Sequence, residues 1–362
     1  KNIFLIIFTV LFLISIFFLI YSKIVYPTIW PVIKNNTLIF FHDWSYVLNS
    51  ILCFEKGYDV YLNNPCEKFS NPFIYGKILL YLPFVESNLK LYSLIIPVIF
   101  NIVFIFICVS FFYLENKYIY LFLSIIFVIS VPFILAVERA NFDIVIAIFV
   151  FLIARFKNVY LNIFFVLLAS ISKFYPVCLS IIFLFNKKLK DFLKLFLITN
   201  FTVFLFLFFQ KESLIKILKN KSLVNTAEFA GTYNFSFSGI LNSINNVNGF
   251  IFFFYLLIFC LFFYFFLKKI LTNNIISDLF DSNIYENRLF VLSSTILIFC
   301  YLVFSNFIYR EIFFLGLLPW ILKNKDNSNN SLLISLLFLL SLKFVLTTLI
   351  VFIDANNFFS SL

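Results

Sequence analysis

The stretch Phe41 to Tyr61 puts a carboxylate, Asp43, beside the chain's only histidine, His42, and an acid so placed could take a proton from an attacking hydroxyl. Four further stretches carry polar groups next to long apolar runs: Glu138-Arg139-Ala140-Asn141-Phe142-Asp143, Ser172-Lys173-Phe174-Tyr175-Pro176, Asn234-Phe235-Ser236-Phe237-Ser238-Gly239 and Tyr309-Arg310-Glu311. Lys173, Arg139 and Arg310 are the cations suited to a phosphate. Lys173 sits just before Pro176, at a position where a helix can begin, so an anion there would meet both an ammonium and unpaired backbone N–H groups. Glu311 either orients the Arg310 guanidinium or neutralises it. His42, Glu138, Asn141, Asp143, Tyr175, Asn234, Ser236, Tyr309 and Glu311 are the candidate substrate contacts. Each has a plainer reading alongside. Asp43 could cap a helix, Glu138 to Asp143 could form a solvated hairpin with its own ion pair, Lys173 could snorkel to headgroups, and a lone histidine is more often a structural hydrogen-bond partner than a catalyst.

The elements that must position these groups are hydrophobic helices. The chain has 362 residues, of which 63% are hydrophobic and 12% charged, with 59 Phe. Its apolar residues come in long unbroken runs rather than amphipathic stripes, which predicts an all-α, polytopic membrane protein. Six Gly, with no Gly-x-Gly-x-x-Gly or Walker-type loop and no Asp-x-Asp pair, leave no cradle for a nucleotide. A net charge of +10 would suggest nucleic acid in a soluble protein, but here the basic residues flank the spans, where lipid headgroups account for them. One His, with no Cys pair at ligand spacing, points away from a transition-metal site; a divalent ion is compatible but not indicated, and no cofactor is expected.

Eleven apolar runs are expected to be transmembrane helices: Ile3 to Tyr21, Leu91 to Leu114, Ile119 to Val137, Phe142 to Ala154, Val159 to Ser172, Phe174 to Phe185, Leu195 to Phe209, Phe250 to Leu267, Leu289 to Ile308, Ile312 to Leu322 and Ser331 to Ile353. The first is read as a retained helix, since no small-residue cleavage site follows it. Several are shorter than the roughly 20 residues of a straight span, which draws their polar ends toward membrane depth. Lys and Arg in short loops, among them Arg155, Lys157, Lys187, Lys188, Lys190, Lys194, Lys268, Lys269, Lys323 and Lys325, mark one side as cytoplasmic. All five polar stretches then fall on the opposite side. One integral membrane domain spans residues 1–362, with a first outer loop at 23–90 and a second at 210–249. In the first loop Val47, Leu48, Ile51 and Leu52 share one face at helical spacing, predicting an interfacial helix over Trp44 to Phe54 that Gly57 ends. Cys53 and Cys66 lie in the same loop, and an oxidising compartment would allow them to pair.

Asp43 with Tyr46, Gly57, Asp59 and Tyr61, then Pro72 and Tyr75, then Glu138-Arg139-Ala140-Asn141, Ser172-Lys173-Phe174-Tyr175-Pro176 and Asn234-Phe235-Ser236-Phe237-Ser238-Gly239, in this order, resembles the GT-C superfamily of integral membrane glycosyltransferases. The particular likeness is to glycosyltransferase family 87, the polyprenyl-phosphate-mannose-dependent α-mannosyltransferases, and it runs from the first outer loop to about Gly239. The resemblance implies a catalytic carboxylate at Asp43, a sugar donated by a polyprenyl phosphate, and inverting transfer to a glycan or glycolipid acceptor on the non-cytoplasmic face of a bacterial cytoplasmic membrane. Lys173, Arg139 and Arg310 are the candidates for stabilising the phosphate of such a donor. Where family members often carry histidines near the last motif, this chain has Tyr309-Arg310-Glu311.

Three other classes compete. A lipid-linked oligosaccharide polymerase or ligase would also want outer charges and a polyprenyl carrier, but needs room for two glycans. A transporter or flippase calls for repeated halves and helices broken at mid-membrane, which the sequence lacks. A structural membrane subunit leaves the shared side of the five polar stretches without explanation.

Overall fold

A computed structural model describes residues 41–67, 70–82, 88, 91–113, 130–185, 189–217, 284–303 and 308–323. Among them every regular element is helical. The runs Ile3 to Tyr21, Phe250 to Leu267 and Ser331 to Ile353, and the second outer loop beyond residue 217, lie outside the described residues. The chain groups into two compact units, one drawn from Lys1–Phe73, Leu79–Ile148 and Tyr309–Leu362, the other from Ile74–Ile78 and Phe149–Ile308.

In the first unit, helix α1 (His42–Glu55) follows the apolar periodicity of the sequence, burying Trp44, Val47, Leu48, Ile51 and Cys53 along one face. Each large side chain so buried contributes roughly 1.5–3 kcal/mol. The helix stops where Gly57 adopts φ 84°. Gly57 N–H then reaches the Phe54 carbonyl at 2.9 Å and Tyr58 N–H the Cys53 carbonyl at 3.1 Å, so the last turn's orphan carbonyls are satisfied. Cys53 and Cys66 form a disulfide, which ties the end of α1 to the following loop. Asn64 reinforces the tie by donating to Ser50 Oγ at 2.9 Å.

A π-helical turn, Leu91–Ile95, leads into α2 (Ile96–Tyr113), and Trp44 Nε1 donates to the Tyr92 carbonyl at 2.7 Å, docking α1 on it. Helix α3 (Val131–Arg139) starts with a proline in its first turn, where the missing N–H costs nothing. Helix α4 (Asp143–Arg155) follows after a three-residue turn. The run expected from Ile312 to Leu322 is not one helix. It divides into a 3₁₀ stretch, Ile308–Gly316, and a short α-helix, α8 (Leu318–Lys323).

The second unit holds α5 (Val159–Lys173), α6 (Leu189–Phe209) and α7 (Tyr285–Val303) around a 3₁₀ stretch, Tyr175–Phe185. Asn158 caps α5, accepting from Tyr160 and Leu161 N–H. Within this unit, to which α4 belongs from Phe149 onward, Arg288 reaches the Ile153 and Phe156 carbonyls at 2.8 and 2.6 Å, placing a cation on the C-terminal end of that helix. The 3₁₀ winding changes the length argument made from the sequence. Eleven residues at about 2.0 Å each cover roughly 22 Å, where an α-helix would cover roughly 16 Å.

Among the described residues two helical stretches are long and apolar enough to cross a membrane, Leu91–Cys108 and Lys190–Phe209. Both carry large exposed apolar side chains, Leu94, Ile99 and Phe106 on one, Leu197, Phe201 and Phe204 on the other. That is the surface expected of helices facing hydrocarbon.

Candidate active site

Asp43 stands in the first turn of α1, held there by a backbone link across 97 residues: Phe41 N–H donates to the Glu138 carbonyl at 3.1 Å. Phe41 itself takes φ 55°, a left-handed conformation that bulky residues avoid. The link brings the start of α1 against the end of α3. There Arg139 places Nε 2.9 Å from Asp43 Oδ1 and its Nη2 on the same oxygen, while Asn141 Nδ2 donates to Asp43 Oδ2. Both oxygens of the carboxylate are thereby engaged.

The turn that delivers these partners is fixed by its own hydrogen bonds. Ala140 takes φ 44°. Its N–H bonds the Val137 carbonyl at 3.1 Å and Asn141 N–H bonds the Ala136 carbonyl at 3.0 Å, the same helix ending that Gly57 makes for α1. Asn101, on α2, adds a hydrogen bond from Nδ2 to the Val137 carbonyl at 2.9 Å. Asn141 Oδ1 then accepts Asp143 N–H at 2.9 Å and so caps α4. From the first turn of that helix Asp143 Oδ2 faces Arg310 Nε at 3.4 Å. Arg139, Asp43, Asn141, Asp143 and Arg310 therefore form one connected chain of polar contacts.

Exposure separates its two ion pairs. The Asp43 and Arg139 side chains are 14% and 18% exposed, whereas Asp143 and Arg310 are at 0% and 9%. Of the two, the first pair is the more exposed. Burial in itself pushes the Asp43 carboxyl up, but the Arg139 guanidinium, by charge and hydrogen bond, with the Asn141 amide and the neighbouring His42, brings it below its ordinary value. Asp43 is ionised throughout the neutral range. Glu138 and Glu311 are buried in the same unit, and Tyr309 lies in the 3₁₀ stretch with Arg310 and Glu311.

Lys173 and Tyr175 belong to the second unit. Lys173 ends α5, and Phe174 after it takes φ 51°. The ammonium is nearly buried, 5.3 Å from the centre of the Tyr75 ring and 5.9 Å from that of Tyr175, within cation–π range of both. Tyr75 is brought there by Gly76, whose N–H bonds the Ser172 carbonyl at 2.9 Å. A Cβ at that position would lie 1.7 Å from the Ile171 carbonyl oxygen, so only glycine fits.

Asn234 and Ser236 lie outside the described residues. Tyr75, Gly76 and Asn101 were not singled out from the sequence as site residues. Gly76 carried a usable signal, one of six glycines and directly after a tyrosine, and Asn101 carried another, a lone amide inside an apolar run. Among the described residues no group of three or more His, Cys, Asp or Glu is arranged to hold a metal ion. Compared with protein-family models, curated proteins and solved structures, the chain matches none.

Proposed function

We propose that this chain is a multi-pass membrane glycosyltransferase of the GT-C type, similar to family 87, moving a hexose, mannose by the resemblance, from a polyprenyl-phosphate carrier to a glycan or glycolipid acceptor. The supporting observation is Asp43: an ionised, partly exposed carboxylate at the start of the loop-one helix, its direction set by Arg139 and Asn141. The Cys53–Cys66 bridge at the other end of that helix supports an oxidising, non-cytoplasmic location. Outside the cytoplasm a sugar donor has to be lipid-borne, in keeping with a sequence that has no nucleotide cradle. By the resemblance the membrane is the bacterial cytoplasmic membrane, with the site facing outward.

In this reading the acceptor hydroxyl oxygen attacks the anomeric carbon and its proton passes to Asp43. The bond from that carbon to the lipid phosphate oxygen breaks on the opposite face, and its electron pair leaves with the polyprenyl phosphate. Configuration inverts. A base below the usual carboxylate value is weak, but it is fully ionised. It needs only to take the proton late, once the attacking oxygen has become acidic. Lys173, Arg139 and Arg310 remain the candidate cations for the departing phosphate, with Arg139 also serving as the counter-charge of the base.

The test is transfer of radiolabelled mannose from polyprenyl-phosphate mannose into native acceptor membranes by the reconstituted chain. Asp43→Asn is expected to lower the rate by roughly 10²- to 10⁴-fold with unchanged protein level. Full activity in that variant would remove Asp43, and with it this function.

A further inference from the structure

Both polar ends of the Asn141 side chain are committed, each to a different part of the described site. Its Oδ1 accepts Asp143 N–H at 2.9 Å, so Nδ2 must be the end that meets Asp43, and the amide orientation follows from the bonding rather than from choice. Its main chain is fixed as well. Asn141 N–H bonds Ala136 at 3.0 Å, and its carbonyl accepts Ile144 N–H at 2.9 Å. The residue is 1% exposed, which leaves no room for the side chain to swing away.

The two oxygens of Asp43 consequently differ. Oδ1 takes both Arg139 contacts and is the oxygen the cation neutralises. Oδ2 faces a neutral amide, keeps more of its negative charge, and is the better proton acceptor. We propose that Asn141 is a positioning residue, one that fixes the plane of the Asp43 carboxylate and assigns Oδ2 as the oxygen that takes the acceptor's proton. The inference rests on the reading of Asp43 as the base. It also accounts for both halves of the residue type: serine or aspartate could cap α4 equally well, but neither presents an amide donor to Asp43 while doing so.

That difference supplies the test. Asn141→Ser keeps the cap and deletes the donor; Asn141→Asp keeps the cap and sets a second carboxylate against the first; Asn141→Ala deletes both functions. The charged groups acting on Asp43 are Arg139 from α3 and His42 from its own helix. The turn Leu91–Ile95 packed on α1 brings no charge, its titratable side chain being Tyr92. With polyprenyl-phosphate mannose as donor and native membranes as acceptor, Asn141→Ser is expected to keep the wild-type melting midpoint and donor KM while losing roughly 10- to 100-fold in kcat. The acid limb of its rate profile moves to higher pH, because Asp43 has lost a bond that favoured its charged form. Asn141→Asp moves that limb further. Wild-type kcat and an unmoved limb in Asn141→Ser would overturn the proposal and leave Asn141 as a cap alone. Asp43→Asn, run alongside, separates the two failures. If it is active, the base reading falls; if it is dead while Asn141→Ser is normal, only the positioning role falls.

Discussion

Two turns in this chain are built alike and hold their cations differently. Helix α3 ends on Arg139 and α5 on Lys173, each a cation in the last turn, where the helix dipole favours it. The residue after each takes a positive φ without being glycine, Ala140 at 44° and Phe174 at 51°. A polar site residue follows, Asn141 in one case and Tyr175 in the other. With Phe41, these strained positions stand directly beside the candidate charged residues of three separate stretches, and strain of this kind collects at functional sites. The means of holding the charge divide the two. Arg139 meets a carboxylate through directed hydrogen bonds; Lys173 lies against the faces of Tyr75 and Tyr175. The first arrangement fixes an acid in one orientation and cancels a charge. The second seats an ammonium, nearly buried, against the faces of two aromatic rings.

Breaking the ion pair is expected to have the largest effect among the changes that follow. Arg139→Ala should lower kcat by roughly 100-fold or more, and Arg139→Lys should recover little, since a point charge cannot place two donors on one oxygen. The pair also sets a pH dependence. Because the Asp43 carboxyl is lowered in the folded state, the stability it confers is present above the ordinary carboxylate value and lost as pH falls through the lowered one. The gap in melting midpoint between wild type and Arg139→Ala should therefore be widest at neutral pH and close in acid below about pH 4.

At the second turn the donor, not the acceptor, should suffer. Lys173→Ala is expected to raise the donor KM roughly tenfold with little change for the acceptor, whereas Tyr175→Phe, which keeps the ring face, should stay within about threefold of wild type. Equal losses for donor and acceptor in Lys173→Ala would erase the distinction drawn between the turns.

The smallest effect is expected at the strained residue. Ala140→Gly relieves about 1–2 kcal/mol of left-handed strain but gives up a buried methyl worth about 0.8 kcal/mol and adds about 0.5–1 kcal/mol of unfolded-state entropy. Its melting midpoint should stay within about 4 °C of wild type. A large stabilisation would mean that the strain at α3 exceeds what its hydrogen bonds offset.

The loop-one helix was legible because amphipathic periodicity and a terminal glycine both act locally: the expected Trp44 to Phe54 became His42–Glu55, ended by Gly57 as anticipated. The cysteine pair was legible as a question, which the bridge answers. Less could be read of Tyr175–Phe185 and Ile308–Gly316, because an apolar run gives no sign of whether its hydrogen bonds span three residues or four. The partnership of Asp43 with Arg139 was out of reach for another reason. The two are 96 residues apart, and reading each charge in its own stretch assigned the arginine to a phosphate without its acid. Gly76 was hidden in the same way, since what forbids a side chain there is the Ile171 carbonyl, far along the sequence.

The Cys53–Cys66 bridge also bears on how the chain matures. Newly made protein whose thiols have not met an oxidant lacks the tie between the end of α1 and its loop, so under the proposed function the helix that carries the proposed base would be fully secured only after that segment reaches an oxidising compartment. In a host without a thiol-oxidising envelope, abundant and correctly inserted protein would still be expected to have little activity, and exposure to a mild disulfide-forming reagent would restore it.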